Sequence, residues 1–352
     1  MEQPLLRLGL LGFVDADKQK VLEAIAHPSA GWPSWELVGF EHADAWCING
    51  RNVHRLQGNA VRVNTLLAHQ PSISLNPSEM SRPIAFTEPM PEGIEAAEIV
   101  NFRTPELLRI ALQRFEAWLR PLRAQFALGS ELVAREAELS KGVFHVLDSH
   151  GKLLALVNFI NWTAAMLPIA RPVDFEDAVW MHRPPGAADV PHGFLTMTVS
   201  QLMWTYAVRT TQDALPVRYR HNTMYLRRLP QLPTGWLRDE HLVVLRALST
   251  VPGKFADLQQ ATELSDDALA RALAALYYAG SVTTNPASAG HIDRTRTPLG
   301  DHSSLPPSSG MLASGFSRGA SVPSKAGLAS ARHPDVDLDH TAPAPLMFPA
   351  RH

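Results

Sequence analysis

Residues 5–13, Leu-Leu-Arg-Leu-Gly-Leu-Leu-Gly-Phe, form an almost continuous apolar run closed by Gly12 and followed by Asp15. A strand of this kind needs cover on both faces, which is the situation of a parallel strand inside an α/β sheet. Asp15 or Asp17 then offers an N-cap to a helix with Val21, Leu22 and Ile25 on one side, stopped near Pro28. Further apolar strands are expected at 35–40, at 43–49 before Gly50, and at 83–86 before Pro89 and Pro91, with a helix predicted over 61–68. Strand, helix and then more short strands is the pattern of an open α/β sheet.

A helical middle follows. Thr104-Pro105-Glu106 supplies a capping residue and a proline for a first helical position, and Leu108, Leu112, Phe115 and Leu119 recur at helical spacing until Pro121. Two apolar strands, 143–148 and 152–159, flank Ser149-His150-Gly151, a hairpin loop with glycine where a positive φ is wanted. Residues 194–209 carry a helical stripe of Leu195, Val199, Leu202, Met203 and Tyr206. Residues 217–229 alternate polar and large side chains, which predicts an extended segment before Pro230. Over 236–284 three helices are expected, at 238–249, 254–262 and 268–278, the last capped by Ser265 and ended by Gly280, followed by a β-prone stretch at 281–284. From Asn285 to His352 no apolar period of 2 or 3.6 persists, so too little surface can be buried to offset an ordering cost of roughly 1–2 kcal/mol per residue. That stretch is expected to be a disordered tail.

Several classes are excluded by composition. Thirty-two Lys+Arg against 34 Asp+Glu leave a formal charge of −2, which fits neither a basic nucleic-acid coat protein nor an acidic tail protein. The single cysteine, Cys47, rules out an internal disulfide and any multi-cysteine metal site. Apolar runs are interrupted before membrane length, and Met1-Glu2-Gln3-Pro4 lacks the basic region of a signal peptide, so a cytoplasmic protein without membrane insertion is expected.

Residues 1–95 resemble the receiver domain of two-component response regulators. The matching pieces are Leu8-Gly9-Leu10-Leu11-Gly12-Phe13, Ala43-Asp44-Ala45-Trp46-Cys47-Ile48-Asn49-Gly50 and Arg82-Pro83-Ile84-Ala85-Phe86-Thr87. In that family the third strand ends at a phosphorylated aspartate. The resemblance puts Asn49 at that place, Asp15 and Asp17 near the family's metal-binding acidic pair, and Arg82-Pro83 at its late Lys-Pro. An amide cannot form an acyl phosphate, so the resemblance implies a pseudo-receiver without phosphorylation. Residues 236–284 are similar to winged-helix modules of bacterial signalling proteins. The expected fold is therefore α/β plus α+β: a receiver-like open parallel sheet over 1–95, a mixed helical and β-hairpin domain over 96–235, a winged-helix-like module over 236–284 and a disordered tail over 285–352.

Function follows less directly. Over 236–281 four basic residues face six acidic ones, and the last helix carries only Arg271, a poor match to the basic recognition helix of a DNA reader. The densest basic cluster is Arg218, Arg220, Arg227 and Arg228, with His221, Tyr219 and Tyr225. On an extended chain Arg218, Arg220 and Arg228 would share one face, as an anion, cyclic-dinucleotide or partner site, or as a charged strand edge that resists aggregation. His145, Asp148 and His150 around the hairpin are either metal-directed or turn residues, Asp174, Glu176 and Asp177 either acid–base groups or a helix N-terminus, and Cys47 either a nucleophile or a core thiol. Met203-Trp204-Thr205-Tyr206 suits core packing or a docking edge. No Gly-x-Gly-x-x-Gly, Walker, Gly-x-Ser-x-Gly or His-Glu-x-x-His motif occurs. The expectation is a non-catalytic signalling protein working through protein partners, with homo-oligomerisation open, no catalytic residues, no metal site and no cofactor. A DNA-binding regulator is the alternative, and an enzyme or cyclic-dinucleotide effector a third.

Overall fold

The computed structural model describes residues 2–26, 32–66, 72–80, 82–92, 94, 99–101, 104–136, 138–139, 142–233 and 235–290. These belong to one compact unit. The expected tail over 285–352 falls almost wholly outside the described residues.

The apolar run at the start is strand β1 (Leu5–Leu11), followed by α1 (Asp15–Ile25), β2 (Ser34–Val38) and β3 (Ala45–Asn49). After β4 (Val53–Arg55), β5 (Val61–Val63) and β6 (Ile73–Leu75) come β7 (Ile84–Thr87), β8 (Ile99–Val100) and helix α2 (Pro105–Trp118). Five strands form a parallel sheet in the order β2-β1-β3-β7-β8. Side-chain alternation assigns each face. Leu6, Leu8, Ala45, Cys47 and Ala85 pack with Val21, Ile25, Leu108 and Phe115 of α1 and α2. Leu11, Trp46, Ile48, Ile84 and Phe86 pack with Val53, Val61, Val63 and Leu75 of a three-stranded antiparallel sheet, β4-β5-β6. Phe86 is fully buried, and burial of that size stabilises by roughly 1.5–3 kcal/mol.

Two local expectations are corrected here. The helix predicted over 61–68 is instead strand β5, in which Val61 and Val63 are buried and Arg62 is exposed. That is a period of 2, and a three-residue strand is too short to show it against the helical background. Asp15 and Asp17 both lie in the first turn of α1, behind an N-cap at Val14 that makes no side-chain bond.

The second part begins with α3 (Arg120–Ala134), separated from α2 at Leu119 just before Pro121. Strands β9 (Val143–Leu147), β10 (Leu153–Asn158), β11 (Thr163–Met166), β12 (Val179–Arg183) and β13 (Leu195–Thr198) form an antiparallel sheet in the order β12-β9-β10-β11-β13. The β9–β10 turn has Gly151 at φ +79°, and Asp148 Oδ1 accepts from the backbone N–H groups of His150 and Lys152 at 2.9 Å each. Helix α4 (Val199–Ala207) is shorter than the helical stripe of 194–209 implied, because Leu195–Thr198 is strand. Thr198 and Gln201 cap it reciprocally, at 3.0 and 2.9 Å, a Thr-x-x-Gln signal that marks this start in the sequence.

Residues predicted as one extended stretch, 217–229, instead form a single turn, α5 (Arg218–His221), and then β14 (Tyr225–Leu226). Pro216 begins the turn, its carbonyl accepting from Tyr219 N–H at 2.8 Å. Helices α6 (Asp239–Thr250), α7 (Phe255–Thr262) and α8 (Asp266–Tyr278) precede β15 (Val282–Thr283), which pairs antiparallel with β14. Met224, just before β14, also bridges Gly253 between α6 and α7. One core runs from Ala124 and Phe126 of α3, through Val157 and Met166 of the sheet and Leu202 and Tyr206 of α4, to Leu273 and Leu276 of α8. Among the described residues no helix is long and apolar enough to cross a membrane.

Charged side chains join the two cores. Asp44 grips the Arg209 guanidinium with both oxygens at 2.6 Å and accepts from Arg7 N–H at 2.9 Å. Arg7 in turn reaches Glu36 at 2.8 Å and the Val208 carbonyl at 2.7 Å. The chain ends of β1 and α4 are also tied directly, Leu5 N–H donating to the Arg209 carbonyl at 2.8 Å. Both arginines are 8% exposed, and burial together with the charges of Arg209 and Arg238 pushes Arg7 down to about 10, so it stays charged at neutral pH. His241 lies next to this joint, its ring 4.7 Å from Trp204 and its Nδ1 accepting from Arg238 N–H at 3.0 Å.

Burial first, then the charges of Arg238 and Arg7, push His241 from 6.5 down to about 4. The unfolded chain therefore binds more protons than the folded one in that window, and the His241 contribution to stability is full above pH 6.5 and is lost as pH falls toward about 4. His241→Gln keeps an acceptor at the third helical position and removes the titrating ring. Across the same window the melting midpoint of the variant should fall less than that of the parent protein, by thermal denaturation followed by circular dichroism; parallel curves would contradict a neutral buried ring.

Candidate functional site

In an open parallel sheet, ligands gather where the strand order reverses, at the carboxyl ends of the strands. Here that place lies between β1 and β3. Asn49 is the last residue of β3, and its side-chain oxygen accepts from Arg51 N–H at 3.2 Å and from the Thr87 hydroxyl at 3.4 Å. Thr87 ends β7 and also accepts from Gly50 N–H at 3.3 Å. On the other side of the crevice Asn52 donates to the Gly12 carbonyl at 2.7 Å, closing the end of β1 against the chain that leaves β3. A Cβ at position 50 would run into the carbonyl oxygens of Thr87 and Pro89, so only glycine allows β3 and β7 to approach this closely.

The donor set at this crevice does not fit a receiver's divalent cation. At the strand ends stand an amide and a hydroxyl, already bonded to each other. The two carboxylates after β1 are turned to solvent, Asp15 holding Lys18 and Asp17 holding Lys20 at 2.9 Å each. Arg82, matched in the sequence to the family's late basic residue, stands at the opposite end of the sheet. It precedes β7, donates to the Ala43 carbonyl at 2.7 Å and lies 4.5 Å over the Trp46 ring. A short Arg-Pro pair gives no strand direction, which is why the sequence match misplaced it. Thr87 is the functional-looking residue that the sequence reading passed over. The signal was there: a hydroxyl closing an apolar strand.

The arginines of 218–228 are not brought onto one face. In a helical turn, side chains two positions apart point about 200° from each other, whereas an extended chain would have aligned them. Arg218 lies 5.4 Å over the Tyr219 ring and 5.7 Å over the Tyr277 ring, near Glu136, which burial pushes up to about 7 against the opposing charge of Arg218. Arg220 turns the other way, to Asp213 at 2.8 Å and Asp266 at 3.2 Å, with Phe255 beneath it at 5.0 Å. Arg227 uses its backbone N–H on the Ser281 carbonyl at 2.8 Å, and Arg228 is lowered by burial and by the charge of Arg227. The cluster is two environments, one facing the α8 tyrosines and one facing the α8 N-terminal end.

Beside Arg220 the surface opens into a cavity of about 220 Å³, bounded by Ala207 at the end of α4, the segment 210–214 and the first turns of α8. The remaining candidates have structural roles. Cys47 is fully buried and its thiol is pushed up by burial. A ring nitrogen of His145 is 3.0 Å from the Ala187 carbonyl, and Asp148 holds the hairpin turn. Asp174 is paired to Arg171 at 2.7 Å and accepts its backbone N–H at 2.8 Å, closing a short helical turn. Trp204 and Tyr206 are core residues. Among the described residues no group of three or more His, Cys, Asp or Glu is placed to hold a metal ion. Comparisons with protein-family models, curated proteins and solved structures found no match to the chain.

The tight crevice gives a direct check. Gly50→Ala should destabilise by at least about 1–3 kcal/mol, the usual cost of overpacking, because backbone carbonyls cannot yield as a side chain can. Urea denaturation measures it, and an unchanged midpoint would show that β3 and β7 are not so closely pressed.

Proposed function

We propose that this is a non-catalytic regulatory protein that acts through contact with a protein partner, with an N-terminal pseudo-receiver that is not phosphorylated. The observation that carries the reading is the crevice at Asn49. An amide stands where a receiver has its phosphoacceptor, and its oxygen is already engaged by Arg51 N–H and Thr87. The parallel order β2-β1-β3-β7-β8 supports receiver kinship, while the β4-β5-β6 sheet covers a face that helices cover in receivers. Burial is the main cause that shifts His241, Tyr277, Tyr278 and the half-buried Glu136 from their ordinary values, and none of them lines the cavity.

The DNA-binding alternative has less support. As a recognition helix, α8 would have to enter a groove, yet Ala272–Tyr278 are all buried, packed on α4 and α6. Only its acidic start, Asp266 and Asp267, and Arg271 face solvent.

Two measurements test the proposal. After incubation with acetyl phosphate, intact-mass spectrometry should show no acid-labile phosphoryl adduct; uptake on an acyl group in residues 1–95 would overturn the pseudo-receiver. On heparin or duplex DNA the protein should elute at low salt. Tight retention falling steeply with ionic strength, and lost when Arg218, Arg220, Arg227 and Arg228 are replaced by alanine, would favour the DNA-binding reading instead.

A further inference from the structure

We propose that the cavity between the segment 207–214 and α8 is a binding site for a small zwitterion, a free α-amino acid. The proposal rests on the regulatory reading and adds an effector to it.

Size comes first. The cavity of about 220 Å³ is below the roughly 300–1,000 Å³ of sites for drug-sized or nucleotide ligands, and it suits a molecule of amino-acid dimensions. Its inner wall is built of small buried residues: Ala207 on α4, and Ala270 and Ala274 one turn apart on α8.

Charge decides the class. Two arginines and two aspartates line the cavity, Arg220 with Asp213 and Arg271 with Asp267. The first pair is already used, since Arg220 bonds Asp213 at 2.8 Å and Asp266 at 3.2 Å. Asp267 and Arg271 sit one helical turn apart on α8, both exposed, and they form no ion pair with each other. An acid and a base held side by side without pairing offer one partner to an ammonium and one to a carboxylate. A simple anion would bring its charge up against Asp213 and Asp267, and a simple cation up against Arg220 and Arg271; a zwitterion is complementary to both.

The place of the cavity explains what occupancy would do. Its outer wall is the chain that follows Arg209, where the Thr210 hydroxyl donates to Glu2 at 2.6 Å. A ligand bridging this segment to α8 would hold Arg209 in its grip on Asp44, so the effector would be read at the joint of the two cores.

Differential scanning fluorimetry and isothermal titration calorimetry on the full chain test this with glycine, L-alanine, L-serine, L-aspartate and L-glutamine as probes. Propionate, propylamine, glycine betaine and inorganic phosphate serve as controls. At least one amino acid should raise the melting midpoint saturably, while the controls carrying only one charge, or lacking ammonium N–H donors, should not. Asp267→Asn and Arg271→Gln, both exposed changes, should leave the unliganded midpoint unchanged and weaken binding roughly tenfold or more each, the worth of one charge-assisted contact. Absence of binding by every amino acid at millimolar concentration overturns the proposal, as does equal binding of phosphate or propionate, or binding indifferent to both substitutions. None of these outcomes bears on the acetyl phosphate or heparin results, so the effector site and the pseudo-receiver fail separately.

Discussion

Two arginines taken almost wholly out of water join one half of this protein to the other. Arg7 leaves the middle of an apolar strand and Arg209 leaves the end of α4, and Asp44, Glu36 and the Val208 carbonyl receive them. Removing an ion from water costs several kcal/mol, and Coulomb attraction recovers this only where geometry is good and the remaining hydrogen bonds are made. The two-pronged contact at 2.6 Å meets that condition. Such a pair adds little net stability over an apolar contact, but it is intolerant of misplacement. It sets the register between a parallel sheet with its own core and an antiparallel sheet with another.

That register has consequences on both sides. On the N-terminal side, Asp44 immediately precedes β3, so the joint and the crevice at Asn49 stand at opposite ends of one five-residue strand. On the other side, the residue after Arg209 opens the wall of the α8 cavity. The architecture thus places a polar cavity next to the contact that aligns the cores, while the crevice at Asn49 is closed by Gly50, Thr87 and Asn52.

What was legible in the sequence was what is locally encoded. The run at 5–13, the hairpin around Gly151 and the three C-terminal helices each repeat their period for long enough, or carry a strong enough cap, to be read directly. Val61 and Val63 do so for only three residues, and the arginine segment changes from helix to strand within eight, with a proline as the sole warning. For the site, the amide at Asn49 was readable because it closes an apolar strand. The joint was not, since Asp44 and Arg209 are 165 positions apart and each looks like an ordinary surface charge. A lone arginine at position 7, inside a run that is otherwise apolar, is the one trace of it. The cavity left no trace, because alanines on α4 and α8 report helix propensity and not the space between helices.

A double-mutant cycle on Arg209 and Asp44, using Arg209→Met and Asp44→Asn singly and together with urea denaturation as the readout, measures the joint itself. If the buried pair aligns the cores, the two substitutions are strongly coupled, with an interaction energy of about 2 kcal/mol and a double variant less destabilised than the sum of the single ones. Effects that add to within about 0.5 kcal/mol would mean that each charge acts alone, and that apolar packing sets the register without them.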